Sequence, residues 1–300
     1  MIAVDPSGSA PGETFLGRGR NYLSLLICPV DGAPLRAAAG GAECTADPAH
    51  RYPIEDGILR LVPPDRRAEL DAVSEAHERY GAAQGWTVPD EAAFKSLPQT
   101  ALEGYPVDHW LRYADATALL WRFLEAIRRR EGRLPVGPMG EAAVIGAGMG
   151  WLAYALDVAG FTTVAVDAHA GPRYGLGVYP IARYFRVQAD VQQPPLAPAA
   201  FDLLLFQEGL SRRADEASQR WGFERALDAL RPGGWVAVMN ALPSPDSDAE
   251  TVQTLLDEAG LVLLNAPRRQ GWRGTLLALR DWLAGRENPA PPVLVAQKPA

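Results

Sequence analysis

The spacing of apolar positions changes character along the chain, and each change predicts a different kind of element. Residues 1–20 are rich in Gly, Pro and Ser without any period, which predicts a mobile tail. From Tyr22 to Pro64, short apolar runs (YLSLLI, YPI, ILRLV) are separated by Gly, Pro and Asp, the pattern of a small β-rich module over 21–64. Residues 65–138 lean helical, and the best helix follows Asp108 as N-cap through HWLRYADATALLWRFLEAIRRR. Ala116, Leu120, Phe123 and Ile127 share one of its faces, and Arg128, Arg129 and Arg130 close it where the helix dipole favours cations. Over 139–300 the texture becomes apolar runs alternating with helical segments: AAVIGA, WLAYALDVAG, TTVAVDA, FDLLLFQ, WVAVMN. Strand and helix in alternation predict βαβ units and a parallel sheet. Further on, DAETVQTLLDEAG and TLLALRDWLAG read as helices, LVLLNA and PPVLVAQK as strands.

Composition narrows the class of protein. The chain has 300 residues, 48% apolar and 22% charged, enough for one large folded domain and a smaller one. A formal net charge of -7 repels polyanions and works against nucleic acid as a partner. No apolar run approaches the roughly 20 residues that span a bilayer, and MIAVDPSGSAPGETF lacks both a basic start and an apolar stretch, so a cytoplasmic location without a membrane partner is expected. Two cysteines, Cys28 and Cys44, are too few for a disulfide framework.

The chemistry concentrates in VIGAGMGWLAYAL, where Gly146, Gly148 and Gly150 join a buried strand to a helix. Glycines let the backbone turn sharply and approach a ligand, and a helix N-terminus offers N–H groups to a negative group. Asp167 ends the next strand about 20 residues on, where an acid accepts hydrogen bonds from ribose hydroxyls. Flavin and nicotinamide enzymes share these features. Their third glycine, counted from Gly146, falls on the bulky Trp151, whereas counted from Gly148 it falls on Ala153, an allowed variant. The turn by itself admits both cofactor classes.

The order of GAGMG, Asp167, the QADV segment with Asp190, FDLLLFQ and the LRPGG turn at Leu230 to Gly234 resembles the class I S-adenosylmethionine-dependent methyltransferases over roughly residues 140–300. The resemblance implies a Rossmann-like α/β fold, with a seven-stranded sheet, an antiparallel last strand, and the cofactor across its carboxyl edge. By position, Gly146, Ala147, Gly148 and Gly150 would cradle the methionine part of S-adenosylmethionine, Asp167 the ribose, and Asp190 with Val191 the adenine. Gln207 would sit near the methyl group and substrate. The sequence departs from the family at Val144, where an acid usually stands two positions before the first glycine, and Glu141 lies at an odd offset that points to the other face.

The amino-terminal module resembles the zinc-ribbon-like domain found before some bacterial methyltransferases, on ribosomal-RNA guanine methyltransferases, and in the activator subunit of tRNA methyltransferases. Those domains close a tetrahedral site with Cys pairs or Cys and His. Here Cys28 is followed by Asp31, and Cys44 by Asp47 and His50. Zinc accepts such a mixed set of Cys28, Asp31, Cys44 and His50, but closed sites prefer thiolate, so the expectation is a degenerate ribbon with no metal.

Methyl transfer from a sulfonium is an in-line displacement that needs positioning more than a fixed catalytic signature. His109, Tyr113, His169 and Glu208 are therefore weighed as structural first, and no catalytic residue is assigned. No D/N-P-P-Y motif follows FDLLLF, where Gln207-Glu208-Gly209-Leu210 stands instead. The leading expectation is methyl transfer to a small-molecule or saccharide-type acceptor, with 65–138 as part of a substrate lid. The alternatives are an RNA methyltransferase and a non-catalytic scaffold that kept the fold.

Overall fold

A computed structural model describes residues 16–17, 20–130, 139–179, 184–207, 223–239, 254, 256–263 and 293–299. The expected tail, Glu208, and the TLLALRDWLAG helix lie outside the described residues, apart from β1 (Leu16–Gly17), which pairs with β2 (Arg20–Asn21).

The amino-terminal module opens with a 3-10 turn at Tyr22–Leu25, whose cap Asn21 accepts a hydrogen bond from Leu23 N. Four short strands follow: β3 (Leu35–Ala38), β4 (Gly41–Cys44), β5 (Arg51–Glu55) and β6 (Ile58–Arg60). Each pairs antiparallel with the next. The helical segment contains α1 (Arg67–Ala83), α2 (Glu91–Ser96) and α3 (Val107–Arg130). In α3, Tyr113, Ala116, Leu120, Leu124 and Ile127 are buried, so the expected apolar face is the packing face, with Leu124 replacing the half-buried Phe123. The helix begins two residues earlier than expected, at Val107, which puts Asp108 inside its first turn instead of at the N-cap. Pro106 lies just before that turn, and its carbonyl accepts from His109 N.

The remaining strands are β7 (Gly140–Ile145), β8 (Phe161–Asp167), β9 (Phe185–Gln188), β10 (Phe201–Phe206), β11 (Leu230–Met239), β12 (Val262–Leu263) and β13 (Val293–Gln297), with α4 (Trp151–Val158) between β7 and β8. They run in the order β12-β13-β11-β10-β7-β8-β9, and β13 is antiparallel to both of its neighbours. This is a Rossmann-like arrangement. The expected seven-stranded sheet is nevertheless corrected, because the sheet continues as β9-β6-β5-β4-β3 and has eleven strands among the described residues. The continuation depends on β6 lying parallel to β9, with Leu59 opposite Val187. Apolar residues at both strands made this join available, but nothing in either short run announced its partner. The LRPGG stretch, expected as a turn, is counted within β11, where Gly233 takes φ +76° and the pairing with β10 shifts register between Phe201 and Leu203.

Two apolar clusters lie on opposite faces of the sheet. Along β7, Ala143 and Ile145 face one and Ala142 and Val144 the other, the alternation a strand imposes. The first cluster also holds Cys28, Cys44, Leu59 and Leu61, so the module's core is continuous with the main one. The second is roofed by α3 and α4. Among the described residues, no helix is long and apolar enough to cross a membrane.

Candidate functional site at the glycine turn

The turn after β7 depends on glycine backbone freedom. Gly146, Gly148 and Gly150 all have positive φ, at +70°, +54° and +84°, a region in which an L side chain is strained. Four of the turn's amides have acceptors within the protein. Gly146 N and Ala147 N donate to the Val166 carbonyl, Gly150 N to the Ala147 carbonyl, and Gly148 N to Asp167 Oδ2 at 2.7 Å. What remains for an anion is the first turn of α4, whose N–H groups have no intrahelical acceptor and whose N-cap, Gly150, provides no side-chain bond.

Asp167 ends β8 beside this turn, buried to 5% exposure. Its Oδ1 accepts from His169 N at 2.8 Å and lies 2.9 Å from His169 Nδ1. Burial alone would push its pKa up, but the His169 ring and the His169 and Gly148 amides outweigh that and hold it below the usual carboxylate value. The sequence placed His169 near Asp167 without a role; the structure makes it the acid's principal partner.

Gln207 follows β10 at 3% exposure, its amide N donating to Ile145 O. Its side-chain Oε1 has no partner. A Cβ built on Gly148 would meet nothing nearer than Gln207 Nε2, at 4.0 Å. The buried Gln207 side chain, its Oε1 unpartnered, thus lies by the open side of the turn, at the point where the sheet order reverses between β8 and β10. Tyr113 sits beside it, its hydroxyl 3.3 Å from the Gln207 carbonyl and its ring edge-on to Trp151.

Asp190 is at the carboxyl end of β9, one strand further, with Val191 packed against the core. It is not free: Oδ2 is 2.5 Å from Arg66 Nη1, and Oδ1 accepts from Gln192 N. Val144 is fully buried opposite Leu205 and Ala165. Glu141 stands at the other end of β7, ion-paired to Arg231 at 2.6 Å, and takes no part in the site. The structure therefore brings Gly146, Ala147, Gly148, Gly150, Asp167 and Gln207 together, and places Asp190 and Val191 alongside.

The expectation for 65–138 named a segment but none of its contacts at this edge. From α1, His77 stacks against His169 at 4.1 Å, and Ser74 accepts from Ala170 N at 3.1 Å. Trp86 and Tyr105 stack at 4.4 Å, and Tyr105 continues the row to His109. The Tyr105 hydroxyl reaches the Met149 sulfur at 4.0 Å. The only sequence signal was the density of aromatic and His residues in 77–113, which predicts burial but not where. The arginine run is also partly reassigned: Arg128 donates to the Ala159 carbonyl at the end of α4, while Arg129 pairs with Glu125 at the surface. A groove of about 420 Å³ between α2, α3 and α4, lined by Leu97, Thr117, Trp121 and Tyr154, contains none of the expected cofactor residues.

In the amino-terminal module, Cys28, Asp31, Cys44 and His50 present their ligand atoms within 4.8 Å of one another. These are the four residues weighed in the sequence as a mixed ligand set, for which no metal was expected.

No protein-family model and no curated protein matches the sequence. Similar solved structures include the 1,6-didemethyltoxoflavin-N1-methyltransferase of Burkholderia thailandensis with bound 1,6-didemethyltoxoflavin and S-adenosylhomocysteine, at 19% identity over 83% of this chain and 96% of that one, TM-score 0.43. An S-adenosylmethionine-dependent methyltransferase from Mesorhizobium loti is 14% identical over 59% and 95%, TM-score 0.40. Phosphoethanolamine N-methyltransferase 2 of Haemonchus contortus, in complex with S-adenosyl-L-methionine, is 16% identical over 60% of this chain and about half (53%) of its own, TM-score 0.37. The Rossmann-like fold of this chain rests on its own strand order, β12-β13-β11-β10-β7-β8-β9.

Proposed function

We propose that this chain binds S-adenosylmethionine across the glycine turn and transfers its methyl group to a small-molecule or saccharide-type acceptor. The observation that carries this reading is the open face of Gly148, bounded by the buried Gln207 side chain, whose Oε1 has no partner, and by the carboxylate of Asp167. The donor set suits the ligand: a helix N-terminus for a carboxylate, an acid for a ribose diol, and a neutral amide where a sulfonium would be harmed by a competing nucleophile.

When bound, S-adenosylmethionine supplies an electrophilic methyl group. The protein's share is orientation and exclusion of water. Gln207 holds a polar contact at the reacting end, Tyr113 fixes the Gln207 backbone, and the row of Trp86, Tyr105 and His109 roofs the edge. Asp167, 2.9 Å from His169 Nδ1, keeps that imidazole oriented at the edge of the site.

A second reading, a scaffold that keeps the fold without turnover, is favoured by a specific observation. Both acids assigned to the nucleoside are already engaged, Asp167 by Gly148 and His169, and Asp190 by Arg66. Calorimetric titration with S-adenosylmethionine, S-adenosylhomocysteine, NAD and FAD tests the cofactor. S-adenosylhomocysteine is expected to bind and the dinucleotides not. Asp167→Ala should weaken binding by about 1–3 kcal/mol. No heat and no thermal shift at millimolar product, or unchanged affinity in Asp167→Ala, sinks the assignment. Binding without turnover of any acceptor leaves the scaffold.

A further inference from the structure

We propose that Cys28, Asp31, Cys44 and His50 form a structural zinc site that clamps the two loops of the amino-terminal module, independently of what the glycine turn binds. Three kinds of observation converge on it.

The first is the donor set. Two wholly buried thiols, one imidazole and one carboxylate lie within 4.8 Å of one another. Cys28 Sγ is 3.6 Å from His50 Nδ1, Cys44 Sγ is 3.2 Å from Asp31 Oδ2, and His50 Nδ1 is 3.1 Å from Asp31 Oδ2. Zinc bonds of about 2.0–2.3 Å place tetrahedral ligand atoms roughly 3.3–3.8 Å apart, so the cluster needs only small adjustments to close on an ion.

The second is the backbone that presents the donors. Both loops turn back on themselves. Cys28 N donates to Ala33 O and Gly32 N to Cys28 O, with Gly32 at φ +74°. On the other side, Cys44 N donates to His50 O, and Ala46 N points at Cys44 Sγ from 3.3 Å. An amide aimed at sulfur two residues back stabilises a thiolate, which a plain buried thiol does not require.

The third is the surrounding layer. His50 Nε2 lies 3.6 Å from Asp47 Oδ2, so the ring offers Nδ1 to the cluster while a carboxylate orients its other nitrogen, the arrangement found behind metal-bound histidines. The Tyr52 hydroxyl, otherwise deep in the apolar core, sits 3.0 Å from Cys28 Sγ and donates to it once the sulfur is a thiolate. On binding, two S–H bonds break, two Zn–S bonds form and two protons leave to solvent. One zinc, two thiolates and one carboxylate carry a net charge of -1, which Ala46 N–H and Tyr52 O–H disperse. Thiolate with imidazole selects zinc over the hard cations.

The test uses the full chain, purified without chelator and analysed for metal after gel filtration, with cobalt substitution as a spectroscopic reporter. About one zinc per chain is expected, and the cobalt form should show tetrahedral ligand-field bands with sulfur charge transfer. Cys44→Ser should lower zinc content at least about fivefold. Asp31→Cys, which adds a preferred ligand, should keep the zinc and strengthen the cobalt charge-transfer band. That variant remains informative if Cys44→Ser fails to fold. Zinc below roughly a tenth per chain in protein with native circular dichroism, together with no cobalt uptake, overturns the site. So does loss of metal in a folded Asp31→Cys.

Discussion

Asp167 shows at a single residue what the sequence reveals and what it hides. Its place at the end of an apolar strand, after a glycine turn, made it legible as a ligand-binding acid. Its partner Gly148 N was not legible, because that amide reaches it only through the turn's left-handed backbone. Val144 was equally legible: a strand position that alternation sends into the core gives no acid to the site. Gly150 carries the clearest single-residue test. It sits at φ +84°, and a Cβ there would lie 2.2 Å from the Tyr184 hydroxyl and 2.8 Å from its ring, on a tyrosine that is itself buried. Gly150→Ala should therefore lower stability by roughly 1–3 kcal/mol through backbone strain and the displaced ring together. Denaturant unfolding checks it, and a midpoint equal to that of the parent chain would show that the turn tolerates a side chain.

Among the elements, α3 and α1 mark the two outcomes of reading periodicity. The apolar stripe of α3 was legible because Ala116, Leu120 and Ile127 repeat at helical spacing and bury as a row. The role of α1 was not, since its anchors are polar: Ser74, His77 and Glu78 reach across to 169–174. That docking should depend on pH. Burial first, and the neighbouring His169 second, lower the pKa of His77 below 6.5. The folded state thus holds His77 neutral, while the unfolded chain takes up a proton as pH falls through that value. Its contribution to stability is complete above about pH 6.5 and shrinks below it. Unfolding free energies measured from pH 7.5 to 5.5 should fall in the parent chain and fall less steeply in His77→Gln. An identical slope in both would remove α1 from the pH response.

Over the whole molecule, the sheet does not respect the boundary that composition draws at residue 64. Besides the β6–β9 pairing, Ile27 N donates to Pro195 O and Ala197 N to Leu25 O, so the amino-terminal module is bonded to two separate stretches of the larger part. Long-range pairing of this kind leaves no period or motif in the sequence, which is why the strand total was missed while β7, β8 and β10 were read as strands and β9 was not. Arg186 on β9 is the buried cation at this join, donating to the carbonyls of Leu176, Tyr179 and Asp56. Arg186→Leu should cost about 3 kcal/mol by leaving those carbonyls without their charged donor. Because Asp56 belongs to the module, the loss should appear as one lowered transition in calorimetry; two resolved transitions would mean that the halves melt independently.

The parallel contact of Ile58–Arg60 with Phe185–Gln188 also sets an order of events during synthesis. The amino-terminal hairpins leave the ribosome first, yet the strand that completes their sheet is translated only after the helices and the glycine turn have emerged. Until then Leu59, wholly buried in the finished protein, has β5 on one side and an open edge on the other. Closing so distant a contact is slow, and an apolar strand edge left waiting is open to the wrong neighbour, including another nascent copy of itself. A metal-clamped hairpin would shorten that exposure by holding the early strands in register before their partner arrives.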